Sequence, residues 1–499
     1  MMALIEYVWL AVYGFALICL FTYGMNCYLL MVLYRLNRPA AIRRHRKLKN
    51  VFYQNTDPKD WPHVTIQLPV FNERYVVKRL IESVCRLDYP ADLLEIQVLD
   101  DSTDDTIQIA QSIVKKMKAR GADIVIIHRQ NRSGFKAGAL QAGLLTAKGE
   151  LIGIFDADFI PQPNFLKETV PYFLDPEIGM LQTRWGHINH DYSLLTKAQS
   201  IGIDGHFGVE QASRAFSGLF MNFNGTAGIW RKKAIADAGG WQADTLTEDL
   251  DLSYRAQLRG WKLSFVSEVV CPAEIPVTIN AFKSQQHRWA KGSIQTAKKN
   301  LAQLWRADIS LLVKIQAFLH LTHYMVHPMM LLVVLASIPI LYSQWFFNTL
   351  AYPAVIFAVL SLTTFGPSSM YLFSQRILYP DWKSRIKYLP FLMFLGTGIA
   401  VNNTKAVIEA LLNIESSFIR TPKYGVRKRT DRWIGKQYST PLNSIMVLEF
   451  FLGVYSLAGL FLFLFFSKYL VSPFLLIYTS GFFYVFFLSV KHAPGNSRS

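Results

Sequence analysis

Between Ile315 and Gln375 the chain contains no Asp, Glu, Lys or Arg. That run is too long for one bilayer-crossing helix and long enough for two. Few water-soluble folds bury an uncharged stretch of that length, so it points to a membrane-embedded chain before any motif is considered. Composition agrees: 51% of residues are hydrophobic, 14% aromatic and 17% charged, outside the usual range for soluble domains.

Three further apolar runs fit the same reading. Tyr7–Tyr34 is free of charge. It is too long for the core of a signal peptide and no clear small-residue cleavage site follows it, so it reads as a retained anchor. Arg35, Arg38, Arg43, Arg44, Arg46, Lys47 and Lys49 follow at once. Basic residues beside a span stay in the cytosol, which places the N-terminus outside and the next segment inside. The formal charge of +17 is concentrated against spans, so no nucleic-acid partner is expected. Asn443–Ser467 and Leu470–Val490 form a final pair, broken at Lys468, while a turn near Ser343–Gln344 divides Ile315–Gln375. Leu389–Leu412 is apolar only in its first half. If it crossed, the basic stretch Arg420–Lys436 would lie outside, so it reads as an interfacial or re-entrant helix. The count is five spans and one interfacial element, with six spans as the alternative. The four cysteines have neither metal-ligand spacing nor a disulfide framework, which suits a reducing, cytosol-facing catalytic domain.

From about His63 to Leu304 the pattern changes to short β-rich runs alternating with helical ones. Val64–Pro69, Leu94–Leu99, Asp123–His128 and Leu151–Phe155 read as buried strands. Glu73–Leu87, Thr106–Arg120 and Lys136–Ala147 read as the helices between them. This alternation predicts an α/β domain with a mostly parallel sheet and helices on both faces. Ligands on such sheets sit beyond the carboxyl ends of the strands, where the acidic clusters fall.

Asp100-Asp101 ends one such strand and Asp156-Ala157-Asp158 follows another. Residues two apart point to the same side, so Asp156 and Asp158 can converge on one hard cation shared with diphosphate oxygens. Thr247-Glu248-Asp249 precedes a helical pattern, Leu250–Arg259. It reads either as a plain N-cap or as a site where Asp249 takes a proton from an acceptor hydroxyl. Gln285-Gln286-His287-Arg288-Trp289 opens an amphipathic helix running toward the membrane. Trp289 offers a flat face for a sugar ring and Arg288 a fork for phosphate oxygens, though both are also common interfacial anchors. Glu449 lies inside a predicted span, where an ionisable group faces neighbouring helices or a wet path.

These motifs, in this order, resemble those of the processive family-2 glycosyltransferases, the cellulose synthase superfamily with chitin and hyaluronan synthases as relatives. The resemblance runs from about Pro62 to Trp289 and more loosely into the membrane part. The strings Gln97–Thr103, Phe135–Leu140 and Phe223–Gly228 look closest to the cellulose synthase-like mannan and glucomannan synthases. The resemblance implies a GT-A type fold joined to an α-helical transmembrane region. It implies that Asp100, Asp101 and Lys136 hold the nucleotide sugar and that Asp156 and Asp158 bind its diphosphate and a divalent metal, Mg2+ or Mn2+. Asn224, Gly225 and Thr226 would line the acceptor pocket. Glu248 and Asp249 would be catalytic, with Asp249 the base. Gln285, Gln286 and Arg288 would grip the diphosphate and acceptor terminus, and Trp289 would stack on the acceptor sugar. Phe418, Thr421 and Lys423 resemble a gating loop that covers the nucleotide on the cytosolic side. Arg420 departs from that pattern, as does Pro422.

The expected organisation is an anchor (1–34), a basic cytosolic linker (35–61), a GT-A domain with its interfacial helix (62–304) and two spans (305–375). A cytosolic and interfacial segment with the gating loop (376–442), two more spans (443–491) and a tail (492–499) complete it. The expected activity is inverting, processive transfer from GDP-mannose or UDP-glucose to a growing β-linked, 1,4-type polysaccharide that crosses the membrane. The partners implied are nucleotide sugar, glycan acceptor, membrane lipid and accessory subunits of unspecified kind. The rival reading is single-sugar transfer to a membrane lipid.

Overall fold

The apolar run at the N-terminus and the basic run after it form one continuous helix, α1 (Met2–Asn55). The stretch expected as a linker is therefore helical as far as Asn55. Ion pairs account for its attachment: Arg44 binds Asp175, and Lys49 lies 2.5 Å from Glu168. Asn37 Nδ2 donates to Ser217 Oγ (3.0 Å) and Ser213 Oγ donates to the Leu30 carbonyl (2.5 Å). The computed structural model describes residues 2–342, 353–416, 420–438, 444–469 and 471–493. Phe418 and the turn expected near Ser343–Gln344 lie outside the described residues.

The segment after α1 folds on a seven-stranded sheet. Its strands are β1 (Val64–Val70), β2 (Leu94–Asp100), β3 (Ile124–His128), β4 (Leu151–Ile154), β5 (Ile178–His187), β6 (Gly228–Arg231) and β7 (Lys262–Ala273), in spatial order β3-β2-β1-β4-β6-β5-β7. All neighbours run parallel except β6, which is antiparallel to both β4 and β5. Buried apolar side chains on α2 (Val77–Val84) and α3 (Thr106–Lys118) pack with Val64, Ile66 and Val98 on one face. Those of α4 (Phe135–Thr146) pack with Leu99, Ile152 and Ile154 on the other. This is a GT-A-like mixed sheet with helices on both faces.

The four apolar runs that read as strands are β1 to β4. β5, β6 and β7 are not among the runs read as strands; β5 carries two buried polar side chains, Gln182 and Thr183, satisfied by tertiary partners. Gln182 Nε2, for example, donates to the carbonyls of Thr226 and Ala227 (3.0 and 3.1 Å). The helix expected from Glu73 starts later, at Val77, because Asn72 takes a left-handed turn (φ 55°) directly after β1.

Two helices lead from the sheet to the site, α5 (Leu194–Gly205) and α6 (Glu248–Leu258). They are followed by α7 (Ile279–Arg306), α8 (Leu311–Thr322), α9 (Val326–Leu341), α10 (Pro353–Leu378), α11 (Leu389–Gly398), α12 (Ala400–Leu411), α13 (Ile445–Phe465) and α14 (Ser472–Lys491). Among the described residues, Glu6–Asn55, Leu311–Leu341, Ile445–Phe465 and Ser472–Lys491 are long and apolar enough to cross a bilayer. The segment that was ambiguous in sequence is a pair of helices, α11 and α12, bent by 41°. Glycines let these helices approach closely: a Cβ on Gly366 would lie 2.4 Å from the Gly24 carbonyl, and one on Gly398 2.3 Å from that of Gly481. Small residues serve such crossings between membrane helices.

Candidate active site

β1, β2 and β4 all end on one cleft, and each terminus delivers a different chemistry. Consecutive residues of a strand face opposite ways, which separates the two acids at the end of β2. Asp101 lines the cleft, held by a two-pronged contact from Arg129 (2.8 and 2.6 Å). Asp100 is fully buried beside it, 2.7 Å from His128 Nδ1, and does not line the cleft.

Beyond β4, Asp156 and Asp158 both line the cleft. Asp156 lies 2.7 Å from Lys136 Nζ, which comes from the first turn of α4 and also donates to the Gly225 carbonyl (2.8 Å). Asp158 lies 2.6 Å from Lys423. Thr226 is buried and its hydroxyl accepts the Asp156 backbone N–H (2.8 Å), so it shapes the acidic turn rather than lining the cavity. Asn224 and Gly225 do line it. Asn224 is oriented by Gln211 (2.6 Å) and His206 (3.0 Å).

Gly225 has φ +80°, and a Cβ there would stand 2.8 Å from Asp249 Oδ2. Glycine therefore meets two demands at once: a left-handed backbone and room for the carboxyl at the start of α6. Glu248 and Asp249 both line the cleft, and Asp249 Oδ1 accepts the Leu250 N–H (2.8 Å). Burial and the neighbouring Glu248 carboxylate push the Asp249 carboxyl up to about 7, against the pull of Lys136 and Arg288. Burial alone would lower the Lys136 ammonium, but Asp156, Glu248 and Asp249 together hold it above its ordinary value. A carboxyl that exchanges its proton near neutrality beside a permanent cation has the properties a general base needs.

The remaining wall comes from α7 and from the 420–438 segment. Gln285, Arg288 and Trp289 line the cleft, whereas Gln286 does not. Gly292 fits α7 against the loop before α6: a Cβ there would lie 2.5 Å from Thr247 Cγ2. Thr421 and Lys423 line the cleft with Arg420, which lies 2.5 Å from Glu73. Tyr424 N donates to Glu274 (2.9 Å). Glu73 and Glu274 are two cleft residues that the sequence reading missed. Burial pushes the Glu73 carboxyl up to about 7, though Arg420 pulls against it, and burial likewise raises Glu274. Glu73 follows β1 by three residues, at the same strand-end position as the acids that were found, and that placement was the available signal.

The donor set of Asp156 and Asp158 is two carboxylates on one cavity wall, each already facing an ammonium group. Hard oxygen donors in small number suit Mg2+ or Mn2+ completed by substrate phosphates. Among the described residues no cluster of three or more His, Cys, Asp or Glu forms a closed metal cage.

Residues 62–292 match the model of the family described as "Glycosyltransferase like family 2". They are a family-2 glycosyltransferase domain. The matched interval of this glycosyltransferase domain starts just before β1 and ends on α7, three residues past Trp289. Glucomannan 4-beta-mannosyltransferase 2 of Arabidopsis thaliana is 44% identical over 252 residues, 50% of this chain and 47% of the relative. Glucomannan 4-beta-mannosyltransferase 1 of Cyamopsis tetragonoloba is 43% identical over 246 residues, 48% and 47% of the two chains. The chain spans about half the length of the curated relatives it matches. A solved mannosyltransferase from Pyrobaculum calidifontis, in complex with GDP-Man and Mn2+, superposes with TM-score 0.45 and 19% identity over 79% of this chain and all of its own.

Proposed function

We propose that the chain is an inverting glycosyltransferase that moves a hexose from GDP-mannose or UDP-glucose to the end of a β-linked, 1,4-type glycan. The glycan would be extended processively on the cytosolic side and passed into the helical bundle. The observation that carries this reading is the placement of Asp249, with its carboxyl pushed up to about 7, in one cleft with Asp156, Asp158, Arg288 and Trp289.

In the reaction Asp249 takes the proton of the acceptor hydroxyl. That oxygen attacks the anomeric carbon from the face opposite the nucleotide. The bond from that carbon to the diphosphate oxygen breaks, and the nucleoside diphosphate leaves with the electron pair. Asp101 sits where the nucleoside enters, Arg288 and Gln285 meet the diphosphate and acceptor terminus, and Trp289 provides the stacking face. Thr421 and Lys423 close the cleft over the donor. A divalent metal held by Asp156 and Asp158 would neutralise charge on the leaving diphosphate. The relatives named as glucomannan 4-beta-mannosyltransferases favour a mannosyl donor and a β-1,4 product.

The test is nucleotide release from GDP-mannose and UDP-glucose by protein in lipid, with products sized. Long polymer supports the reading, and a single-sugar lipid replaces it with glycolipid synthesis. Asp249→Asn is expected to abolish transfer with donor affinity kept within about threefold. Loss of donor binding in that variant would move Asp249 to the donor site. Chelation is expected to stop turnover and added Mn2+ or Mg2+ to restore it.

A further inference from the structure

Helix α7 stands between the cleft and the bundle, and its two faces are held differently. At about 100° per residue, Gln285, Arg288, Trp289 and Gly292 lie roughly 140–240° around the helix from Lys283. The first three line the cleft and Gly292 abuts Thr247. His287 and Lys291 lie within about 80° of Lys283, on the face turned to the bundle.

Three basic side chains of that second face, Lys283, His287 and Lys291, meet bundle carboxylates. Lys283 Nζ is 2.6 and 2.7 Å from the two oxygens of Glu449 on α13, and it donates to Ser489 Oγ of α14 (2.8 Å). His287 and Lys291 lie 3.0 and 3.3 Å from Glu409 of α12. Asn402 Nδ2 adds a hydrogen bond to the Lys283 carbonyl (3.0 Å). Lys283 and Glu449 are 3% and 0% exposed. An ion pair so deeply buried adds little net stability over well-packed apolar residues, because desolvation offsets the attraction. Its effect is geometric: it permits one position of the helix.

We propose that Glu449, with Glu409 as a second rung, is a positioning residue for the acceptor end of the site. The last two helices contribute no cleft residue of their own among the described residues. Through Lys283 they set the height and rotation of α7, and so the placement of Gln285, Arg288 and Trp289 over Asp249. The inference rests on the glycosyltransferase reading above and concerns the placement of the α7 side chains, Trp289 against the acceptor and Arg288 against the diphosphate.

The test replaces the pair by apolar residues of similar size, Lys283→Met with Glu449→Leu, in full-length protein in lipid nanodiscs. Three quantities are read: thermal midpoint, GDP release from GDP-mannose without acceptor, and KM for β-1,4-mannohexaose. The expected result is an unchanged midpoint, acceptor KM raised about 10–100-fold, the scale of a small misplacement at a reacting centre, and slower GDP release without acceptor as Arg288 shifts from the diphosphate. An unchanged acceptor KM with an unchanged midpoint overturns the proposal, as does a lowered midpoint, which would make the pair a stabilising contact instead. Should the double variant not accumulate, Ser489→Ala and Glu409→Gln carry the same comparison with the Lys283–Glu449 charges intact. A wild-type protein that releases no nucleotide from either donor defeats the glycosyltransferase reading instead, and is recognised before any variant is made.

Discussion

Asp249 shares a half-buried pocket with Glu248 and Lys136, and this trio makes the activity pH-dependent in a definite direction. A base must be deprotonated to act. With its carboxyl pushed up to about 7, Asp249 is protonated and idle below that value and competent above it. Transfer measured as kcat/KM is expected to rise about tenfold per pH unit up to pH ~7 and to level off above. A profile flat between pH 5 and 8 would remove Asp249 from the base role. Gly225 gives a second residue-scale expectation. Gly225→Ala places a Cβ in a left-handed backbone and 2.8 Å from Asp249 Oδ2. The strain is about 1–2 kcal/mol, and the carboxyl must move. The variant should bind donor yet transfer at least about 10-fold more slowly, while wild-type transfer rates in it would show the contact to be slack.

Elements hold these residues in place through buried polar contacts that are invisible to periodicity. α6 and α7 are joined beneath the cleft by Asp251, which is fully buried and lies 2.8 Å from Arg255, 3.0 Å from Lys299 and 3.0 Å from Asn300 Nδ2. Asp251→Ala leaves Arg255 without its carboxylate and Asn300 without its acceptor, while Lys299 keeps Asp244 (2.7 Å). The expected loss is about 3–5 kcal/mol, the scale seen when one member of a buried pair is removed, read as a lower thermal midpoint in detergent. A midpoint within the error of wild type would mean that water compensates for the lost carboxylate. Much of this was legible only in part. The strand ends holding Asp101, Asp156 and Asp158 follow from apolar runs stopped by acids. The docking of α6 on α7 depends on a glycine, Gly292, whose meaning appears only when Thr247 is seen against it.

At the scale of the whole molecule, one helix, α1, runs from the apolar segment to the face of the sheet domain. The 420–438 segment folds back from the bundle to place Lys423 on Asp158 and Tyr438 on Asp104. The sheet domain is thus bound to the bundle at α1, α7 and the 420–438 segment. In sealed vesicles, donor supplied on the side of residues 62–304 should be consumed and glycan should accumulate on the other side. Glycan retained on the donor side would break the link between transfer and passage.

By itself the sequence determined the parts whose physics is local. These are the apolar runs, which bilayer thickness decides, strands β1 to β4, which short β-rich runs between helical patterns decide, and acids placed where strands end. Tertiary structure alone decided which way each acid faces, why Thr226 shapes a turn rather than lining the cleft, and that Glu449 meets Lys283. Those outcomes depend on partners distant in sequence, such as Arg129, Asp156 and Lys283, and no spacing along one chain encodes a distance between two.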